Sequence, residues 1–235
     1  MSQQGVMMHP VVVWIRVVIR MALFALALMW PAGTWYWQEA WAVVVLWTLF
    51  IVVMTIYLMK HDPGLLAERM QSLPIQKDQK RWDKIIMSLF VVAGVALYIV
   101  PGFDVVRYQW SEPLPQWLRV VALVLQIPCF LMLGWIMREN SYLAQVVKID
   151  KDRAHKVITT GAYAWVRHPM YTVIIVLFFL FPLSLGSRYA LLLSGLITIL
   201  LIIRTYLEDR TLYHELEGYP EYTQQTPYRL LPGVW

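Results

Sequence analysis

The sequence is poor in the residues that mark soluble proteins and metal sites. Only 15% of its 235 residues are charged, against about 25% in an average soluble domain. Cys129 is the single cysteine, which excludes an intrachain disulfide and a cysteine-rich metal site. The five histidines form no H-E-x-x-H motif or other close pair, so no metal ion is indicated.

The motifs that bind nucleotides in common soluble enzymes are also absent. The chain has no G-x-G-x-x-G sequence, no P-loop and no G-x-S-x-G nucleophile motif. Any cofactor must therefore be held by an arrangement other than a Rossmann fold. The net charge of +5 does not indicate a nucleic acid partner, because the basic residues lie between apolar runs, where membrane orientation explains them.

Long apolar runs are what the sequence has in abundance, and 59% of its residues are hydrophobic. A helix needs about 20 consecutive apolar residues to cross a bilayer. Six runs reach or approach this length, at residues 11–30, 40–59, 85–100, 120–137, 170–185 and 189–203. The first run qualifies if Arg16 and Arg20 reach toward one membrane surface. The last two are short and are separated only by residues 186–188, which predicts a tight helical hairpin.

These runs predict an all-α fold: a polytopic membrane bundle of about six transmembrane helices, with five as the nearest alternative. We expect the chain to form one integral membrane domain, residues 1–235. Within it, residues 1–137 are expected to form an N-terminal four-helix part. Residues 138–235 are expected to form the C-terminal part with a cytoplasmic cofactor-binding region.

The basic residues predict the orientation of the bundle. With six spans, all but Arg107, Arg119 and Arg188 of the 20 Lys and Arg residues lie on one side of the membrane. Basic loops face the cytoplasm, so both termini are expected there. The 12 Trp and 13 Tyr suit anchoring at the two lipid–water interfaces. We expect an integral multi-pass membrane protein, in the inner membrane if the protein is bacterial.

Residues 161–171 form the first segment that suggests chemistry, because glycine, aromatic, basic and proline residues are concentrated there. Pro169 stands at the start of an apolar helix, where its missing N–H costs no hydrogen bond. His168 before it is restricted to an extended conformation. The helix should therefore begin abruptly, with N–H groups able to hold an anionic ligand. Alternatively, Arg167 and His168 only anchor the helix at the membrane surface.

Arg204, Glu208 and Asp209 form the second such segment, at the end of the last apolar run. The spacing i, i+4 puts Arg204 and Glu208 on one helix face, although arginine before glutamate is the less favourable order for an ion pair. Ionisable groups at membrane depth usually have a function. A functional role and a simple surface ion pair remain equal alternatives from these residues alone.

Taken together, the two segments resemble a known family pattern. The matching positions are His155, Ile158, Gly161, Tyr163, Arg167, His168, Pro169 and Tyr171, followed by Arg204, Glu208, Asp209, Leu212, Gly218, Tyr222, Arg229 and Pro232. Over about residues 140–232, this pattern resembles the isoprenylcysteine carboxyl methyltransferase and phospholipid methyltransferase superfamily. The resemblance implies S-adenosyl-L-methionine as the cofactor, bound in a non-Rossmann pocket that the C-terminal segment covers.

The resemblance also implies residue roles. The implied cofactor-binding residues are His155, Lys156, Val157, Ile158, Tyr163, His168, Pro169, Met170, Tyr171 and Glu208. Arg204 matches the position that meets the acceptor, and Arg204 and Glu208 are the implied catalytic residues. Two positions depart from the pattern: Asp209 replaces a second glutamate, and Lys148 stands where some members have a polar amide.

The expected activity is transfer of a methyl group to a lipophilic or membrane-embedded acceptor, most like isoprenylcysteine carboxyl O-methylation. A phospholipid or small-thiol methyltransferase is an alternative. A membrane NADPH-dependent reductase of the sterol-reductase type and a non-enzymatic membrane protein are others. The expected partners are the lipid bilayer and a lipophilic or prenylated acceptor. The sequence does not define the acceptor or the oligomeric state.

Overall fold

The computed structural model describes residues 9–70, 79–140 and 157–235, and within them all regular structure is helical, with no strand. The α-helices are α1 Pro10–Ala32, α2 Gln38–His61, α3 Pro63–Arg69, α4 Arg81–Pro101, α5 Gln116–Glu139, α6 Pro169–Leu185, α7 Arg188–Glu215 and α8 Tyr219–Gln225. A π-helix, Gly102–Arg107, continues α4, and a 3₁₀-helix covers Gly161–Ala164. The predicted all-α class is confirmed.

Five helices in the described residues are long and apolar enough to cross a membrane: α1, α2, α4 with its π-helical extension, α5 and α7. The sixth apolar helix, α6, has only 17 residues. The structure therefore agrees with the prediction of five to six membrane helices. Helix α7 is longer than its apolar run, because it continues from residue 203 to Glu215.

Packing in the bundle separates an aromatic core from a lipid-facing surface. In the core, the rings of Phe24 and Tyr98 lie 5.1 Å apart, and Trp47 and Phe181 lie 5.6 Å apart. Large apolar side chains are exposed on the outer faces of the long helices, for example Val18, Val53, Val92, Leu131 and Leu192. Exposed apolar side chains on every long helix suit a hydrocarbon surrounding.

A tight turn joins α6 to α7, as the sequence predicted. Gly186 has φ +85°, a conformation that favours glycine, and ends α6. Ser187 then caps the start of α7, because its hydroxyl accepts a hydrogen bond from the N–H of Ala190 at 3.1 Å. The two helices run antiparallel, so the start of α6 and the end of α7 lie at the same end of the bundle. This end, which also holds the first turn of α4, is called the site end below.

At the opposite end of the bundle, the connection between the apolar runs 85–100 and 120–137 is partly helical. The π-helix extends α4 to Arg107, and Asp104 within it is fully buried. A Cβ at Gly102 would lie 2.7 Å from the Leu28 carbonyl oxygen, so this close approach to α1 requires glycine. The apolar runs do not predict this helical extension, because it depends on tertiary packing. Burial of the Asp104 carboxylate requires partners that come from distant segments.

The connection between the apolar runs 40–59 and 85–100 also contains helix. It holds α3, and its last residues form the first turn of α4. Arg16 Nη1 donates to the carbonyl oxygen of Met70 at 2.8 Å, and Arg20 Nη1 donates to that of Arg69 at 3.2 Å. The two arginines of α1 therefore satisfy carbonyl groups at the end of α3, which a helix terminus leaves without intrahelical partners.

Candidate active site

The hairpin brings together the two segments that the sequence singled out. The hydroxyl of Tyr171, in the first turn of α6, donates to Glu208 Oε2 on α7 at 2.7 Å. Tyr171 is buried and Glu208 is half-buried. The rings of Tyr171 and His168 lie parallel, with centroids 5.8 Å apart. Residues 37 positions apart in sequence are thus in direct contact at the site end.

Arg204 is connected to Glu208 through Tyr171. Its Nη1 donates to the Tyr171 hydroxyl at 2.5 Å, and its guanidinium carbon lies 5.4 Å from the centre of the tyrosine ring. The side chain is almost completely enclosed, with 5% of the residue exposed. The i, i+4 spacing therefore does place Arg204 and Glu208 on one face, with a tyrosine hydroxyl from α6 between them.

Asp83 is the main residue at this site that sequence reasoning missed. Its Oδ1 accepts a hydrogen bond from Arg204 Nε at 2.8 Å, and its Oδ2 accepts one from Gln79 Nε2 at 2.8 Å. It is 0% exposed. In the sequence it stands just before the apolar run that starts at residue 85, and in the structure it lies in the first turn of α4. Only its position in the sequence could have indicated a role, because a carboxylate is favourable at a helix N-terminus.

Asp209, whose role the sequence left open, is enclosed by hydrogen-bond donors. Its two carboxylate oxygens accept from Arg167 Nε and Nη2, at 2.7 and 3.0 Å. Arg229 Nε and the Tyr219 hydroxyl each lie 2.9 Å from the carboxylate, and His168 Nε2 lies 3.3 Å from it. Asp209 therefore connects the end of α7 to the start of α6, to α8 and to the C-terminal segment.

The charge of Asp209 affects the groups around it. Burial opposes the charge of Arg167, but the hydrogen bonds and charge of Asp209 outweigh burial and raise the pKa of Arg167. Burial, reinforced by the Asp209 charge, raises the pKa of Tyr219 well above its usual value. Arg167 therefore remains a cation and Tyr219 remains a neutral donor.

The C-terminal segment covers the start of α6. The N–H groups of Arg167 and His168 donate to the carbonyl oxygens of Tyr228 and Arg229, at 3.0 and 2.9 Å. Thr172 Oγ1 donates to the Leu230 carbonyl oxygen at 2.7 Å. The chain's own tail therefore accepts the hydrogen bonds of the two N–H groups that precede α6. The expectation that N–H groups in the first turn of α6 hold an anionic ligand stays a prediction.

Tyr163 lies in the 3₁₀-helix, between α5 and the C-terminal segment. Its hydroxyl accepts a hydrogen bond from Asn140 Nδ2 at 3.0 Å, and its carbonyl oxygen accepts one from the Tyr222 hydroxyl at 2.6 Å. Burial raises the pKa of Tyr163, so its hydroxyl stays neutral. Val157 and Ile158 pack, partly buried, against the same apolar cluster as Tyr163.

The other implied cofactor residues divide into described and undescribed positions. Pro169 is buried as the first residue of α6, and Met170 follows it. His155 and Lys156 lie outside the described residues, as does Lys148.

Arg69 is a second cation at the site end that the sequence did not single out. Its Nη2 lies 3.3 Å from Met170 Sδ. Burial lowers its pKa, and the Arg204 charge also acts in that direction. The short helix α3 therefore places a guanidinium beside α6. Both Arg69 and Asp83 belong to the N-terminal half of the chain, so α3 and α4 contribute polar groups to the site end.

The fold and this cluster define a class: a polytopic helical membrane protein whose buried charged side chains converge at one end of the bundle. The model of the isoprenylcysteine carboxyl methyltransferase (ICMT) family matches residues 120–214. The matched range holds most of α5, all of α6 and almost all of α7, with Tyr171, Arg204 and Glu208. The resemblance predicted from the motifs is confirmed, and it supports a membrane methyltransferase. No curated protein matches the chain.

Proposed function

We propose that the protein transfers a methyl group from S-adenosyl-L-methionine to a lipophilic acceptor at the membrane surface. The observation that carries this proposal is the convergence of Tyr171, Glu208 and Arg204 within the segment that the methyltransferase family model matches. The three side chains come from two helices of a membrane-embedded hairpin. Tyr171 packs in the same apolar cluster as Leu230 of the C-terminal segment.

The residues at the site end fit a cationic methyl donor. S-adenosyl-L-methionine supplies a methyl group activated by a positively charged sulfonium. Glu208 offers a half-buried carboxylate, and the Tyr171 hydroxyl fixes the position of its Oε2. The nearby Tyr163 hydroxyl and Met170 side chain offer neutral polar and soft apolar contacts. A partly buried carboxylate attracts a cation more strongly than one in water.

Arg204 is proposed to orient the acceptor. A buried guanidinium with fixed hydrogen bonds is suited to a carboxylate or another anionic oxygen group. Alignment of acceptor and donor is the main contribution that a protein makes to such a displacement. An amine acceptor would instead need a base to remove its proton. The nearest histidine, His168, is buried, and its Nε2 lies 3.3 Å from Asp209. The anionic acceptor is proposed from the Arg204 guanidinium.

Binding of labelled S-adenosyl-L-methionine to the purified protein tests the donor site. We expect Glu208→Ala and Tyr171→Ala to bind it more weakly than the wild type does. Glu112→Ala is the matched control, because this glutamate is exposed near the opposite end, beside Arg188. Equal binding by all four proteins would remove Glu208 and Tyr171 from the site. Binding of NADPH without binding of S-adenosyl-L-methionine would favour the reductase alternative.

The acceptor is tested with membranes that contain the protein. They are incubated with S-adenosyl-L-methionine carrying a labelled methyl group, and the labelled product is extracted and identified. We expect a labelled lipophilic ester. Absence of any label that depends on the protein would contradict methyl transfer to a membrane acceptor.

A further inference from the structure

We infer that Asp83 is a positioning residue that holds the Arg204 guanidinium in place for the acceptor. This inference rests on the proposed function. Asp83 lies on α4, outside residues 120–214, so the family match assigns it no role. It extends the site to a helix in the N-terminal part of the bundle.

Two fixed contacts set the orientation of the Arg204 side chain. The guanidinium is planar and rigid, so bonds at two of its nitrogens define its plane. One of these bonds runs from Nε to Asp83 Oδ1, and the other runs from Nη1 to the Tyr171 hydroxyl. The partners stand on α4 and α6, while Arg204 itself is on α7. Without Asp83, Arg204 would lose the bond at Nε that defines its plane together with the bond at Nη1.

Stability alone is a weak explanation for this pair. Asp83 is 0% exposed, and removing both charges from water opposes their mutual attraction. Apolar replacements of a buried ion pair are often neutral or stabilising. Asp83 is itself fixed, because Gln79 Nε2 donates to its second oxygen at 2.8 Å. Because one oxygen of Asp83 is held by Gln79, its other oxygen can fix the position of the Arg204 guanidinium.

The first test compares Asp83→Asn with Asp104→Asn. Both aspartates are 0% exposed, and Asp104 lies at the opposite end of the same span. The assay follows methylation of N-acetyl-S-farnesylcysteine, a carboxylate with an isoprenoid tail, by the full-length protein in vesicles. We expect Asp83→Asn to lower transfer by about 10- to 100-fold, as loss of a supporting partner does in other sites. Binding of labelled S-adenosyl-L-methionine should be largely kept.

Asp104→Asn should retain transfer, measured per folded protein, even where its thermal stability falls. A rate of methyl transfer by Asp83→Asn equal to that of the wild type would overturn the inference. Parallel losses of transfer in the two variants would do the same, because they would indicate a general structural effect.

The second test asks whether Asp83 acts through Arg204. In an Arg204→Lys background, we expect Asp83→Asn to cause little further loss of transfer, since coupled residues show non-additive effects. Independent, multiplicative losses would overturn the inference.

A third measurement requires no acceptor and separates this inference from the proposed function. The ¹⁵N–¹H signal of Arg204 Nε, assigned by its loss in Arg204→Lys, should exchange slowly with solvent in the wild type. It should exchange quickly in Asp83→Asn and remain slow in Asp104→Asn. Unchanged exchange in Asp83→Asn would overturn positioning. A wild type with this signature but neither donor binding nor methyl transfer would overturn the proposed function alone.

Discussion

The two ends of one membrane-crossing helix, Arg81–Arg107, each bury an aspartate completely, and they do so in different ways. Asp83 and Asp104 are separated by about 30 Å along the axis, at about 1.5 Å per residue. Asp83 is bonded to a guanidinium, that of Arg204. Asp104 accepts hydrogen bonds from the hydroxyls of Ser111 and Ser187, at 2.8 and 2.6 Å, and from the N–H of Ser111.

The partners of the two aspartates therefore distinguish a structural carboxylate, Asp104, from one that contacts the proposed active site, Asp83. Neutral hydroxyl and N–H donors satisfy Asp104, and Ser187 among them joins the α6–α7 turn to the π-helix. The Asp83 carboxylate instead belongs to a set that continues through Arg204 and Tyr171 to Glu208. A hydrogen-bonded chain of charged and polar groups that spans three helices can orient a ligand, whereas neutral donors around one carboxylate mainly join segments.

The largest expected effect comes from Arg204→Ala. We expect transfer to fall by about 100-fold or more, because misplacement of a reacting group by about 1 Å already has such an effect. Donor binding should be largely kept. Loss of donor binding in a folded Arg204→Ala protein would instead assign Arg204 to the donor site.

The same substitution leaves the Asp83 carboxylate without its guanidinium, and breaking a buried pair costs about 3–5 kcal/mol. Combining it with Asp83→Asn should recover thermal stability in detergent but not transfer. Recovery of both properties together would contradict a separate role for Arg204 at the acceptor.

Asp209→Asn should have the next largest effect, on stability. Asp209 and Arg167 are 7% and 5% exposed at their side chains, and loss of the anion leaves buried cations unpaired. We expect a loss of about 3–5 kcal/mol and faster proteolysis of the segment after α7. The measurement is thermal unfolding with limited proteolysis in detergent. Glu217→Gln, an exposed carboxyl group beyond α7, is the control. Unchanged proteolysis would show that other contacts hold the tail.

Asp104→Asn sharpens the comparison from the other end. An amide in place of the carboxylate leaves some of the surrounding donors without an acceptor, which costs about 1–3 kcal/mol. Thermal unfolding should therefore shift, while binding of labelled S-adenosyl-L-methionine stays at the wild-type level. Weakened donor binding in folded protein would contradict a purely structural Asp104.

The smallest expected effect is a pH dependence at the site end. The pKa of Tyr219 is raised in the folded protein, first by burial and then by Asp209. Its neutral hydroxyl therefore adds stability that is complete below the unfolded pKa of about 10 and is lost as the pH rises through the folded pKa. Tyr219→Phe should be less stable at neutral pH and should lose less stability between about pH 9 and 11. Parallel curves for the two proteins would contradict this role.

The sequence by itself determined the helical class and the membrane setting. Apolar runs decide these features locally, because a bilayer-crossing helix needs only length and hydropathy. Residues 186–188 predicted the hairpin for the same reason, since a short polar turn between apolar runs leaves one arrangement. The motif at Arg167–Tyr171 with Arg204 and Glu208 was sufficient to predict the family resemblance that the match over residues 120–214 confirmed.

Only the tertiary structure decided which partners those segments have. Asp83 and Arg204 are 121 positions apart, and Asp209 meets Arg229 across a turn and helix α8, so neither pairing leaves a periodic signal in sequence. The hydrogen bonds from the N–H groups of Arg167 and His168 to carbonyl oxygens of the tail also could not be predicted from the sequence. A buried charge must find a counter-charge or donor wherever the fold provides one. Such partners depend on the packing of distant helices, which local composition does not encode.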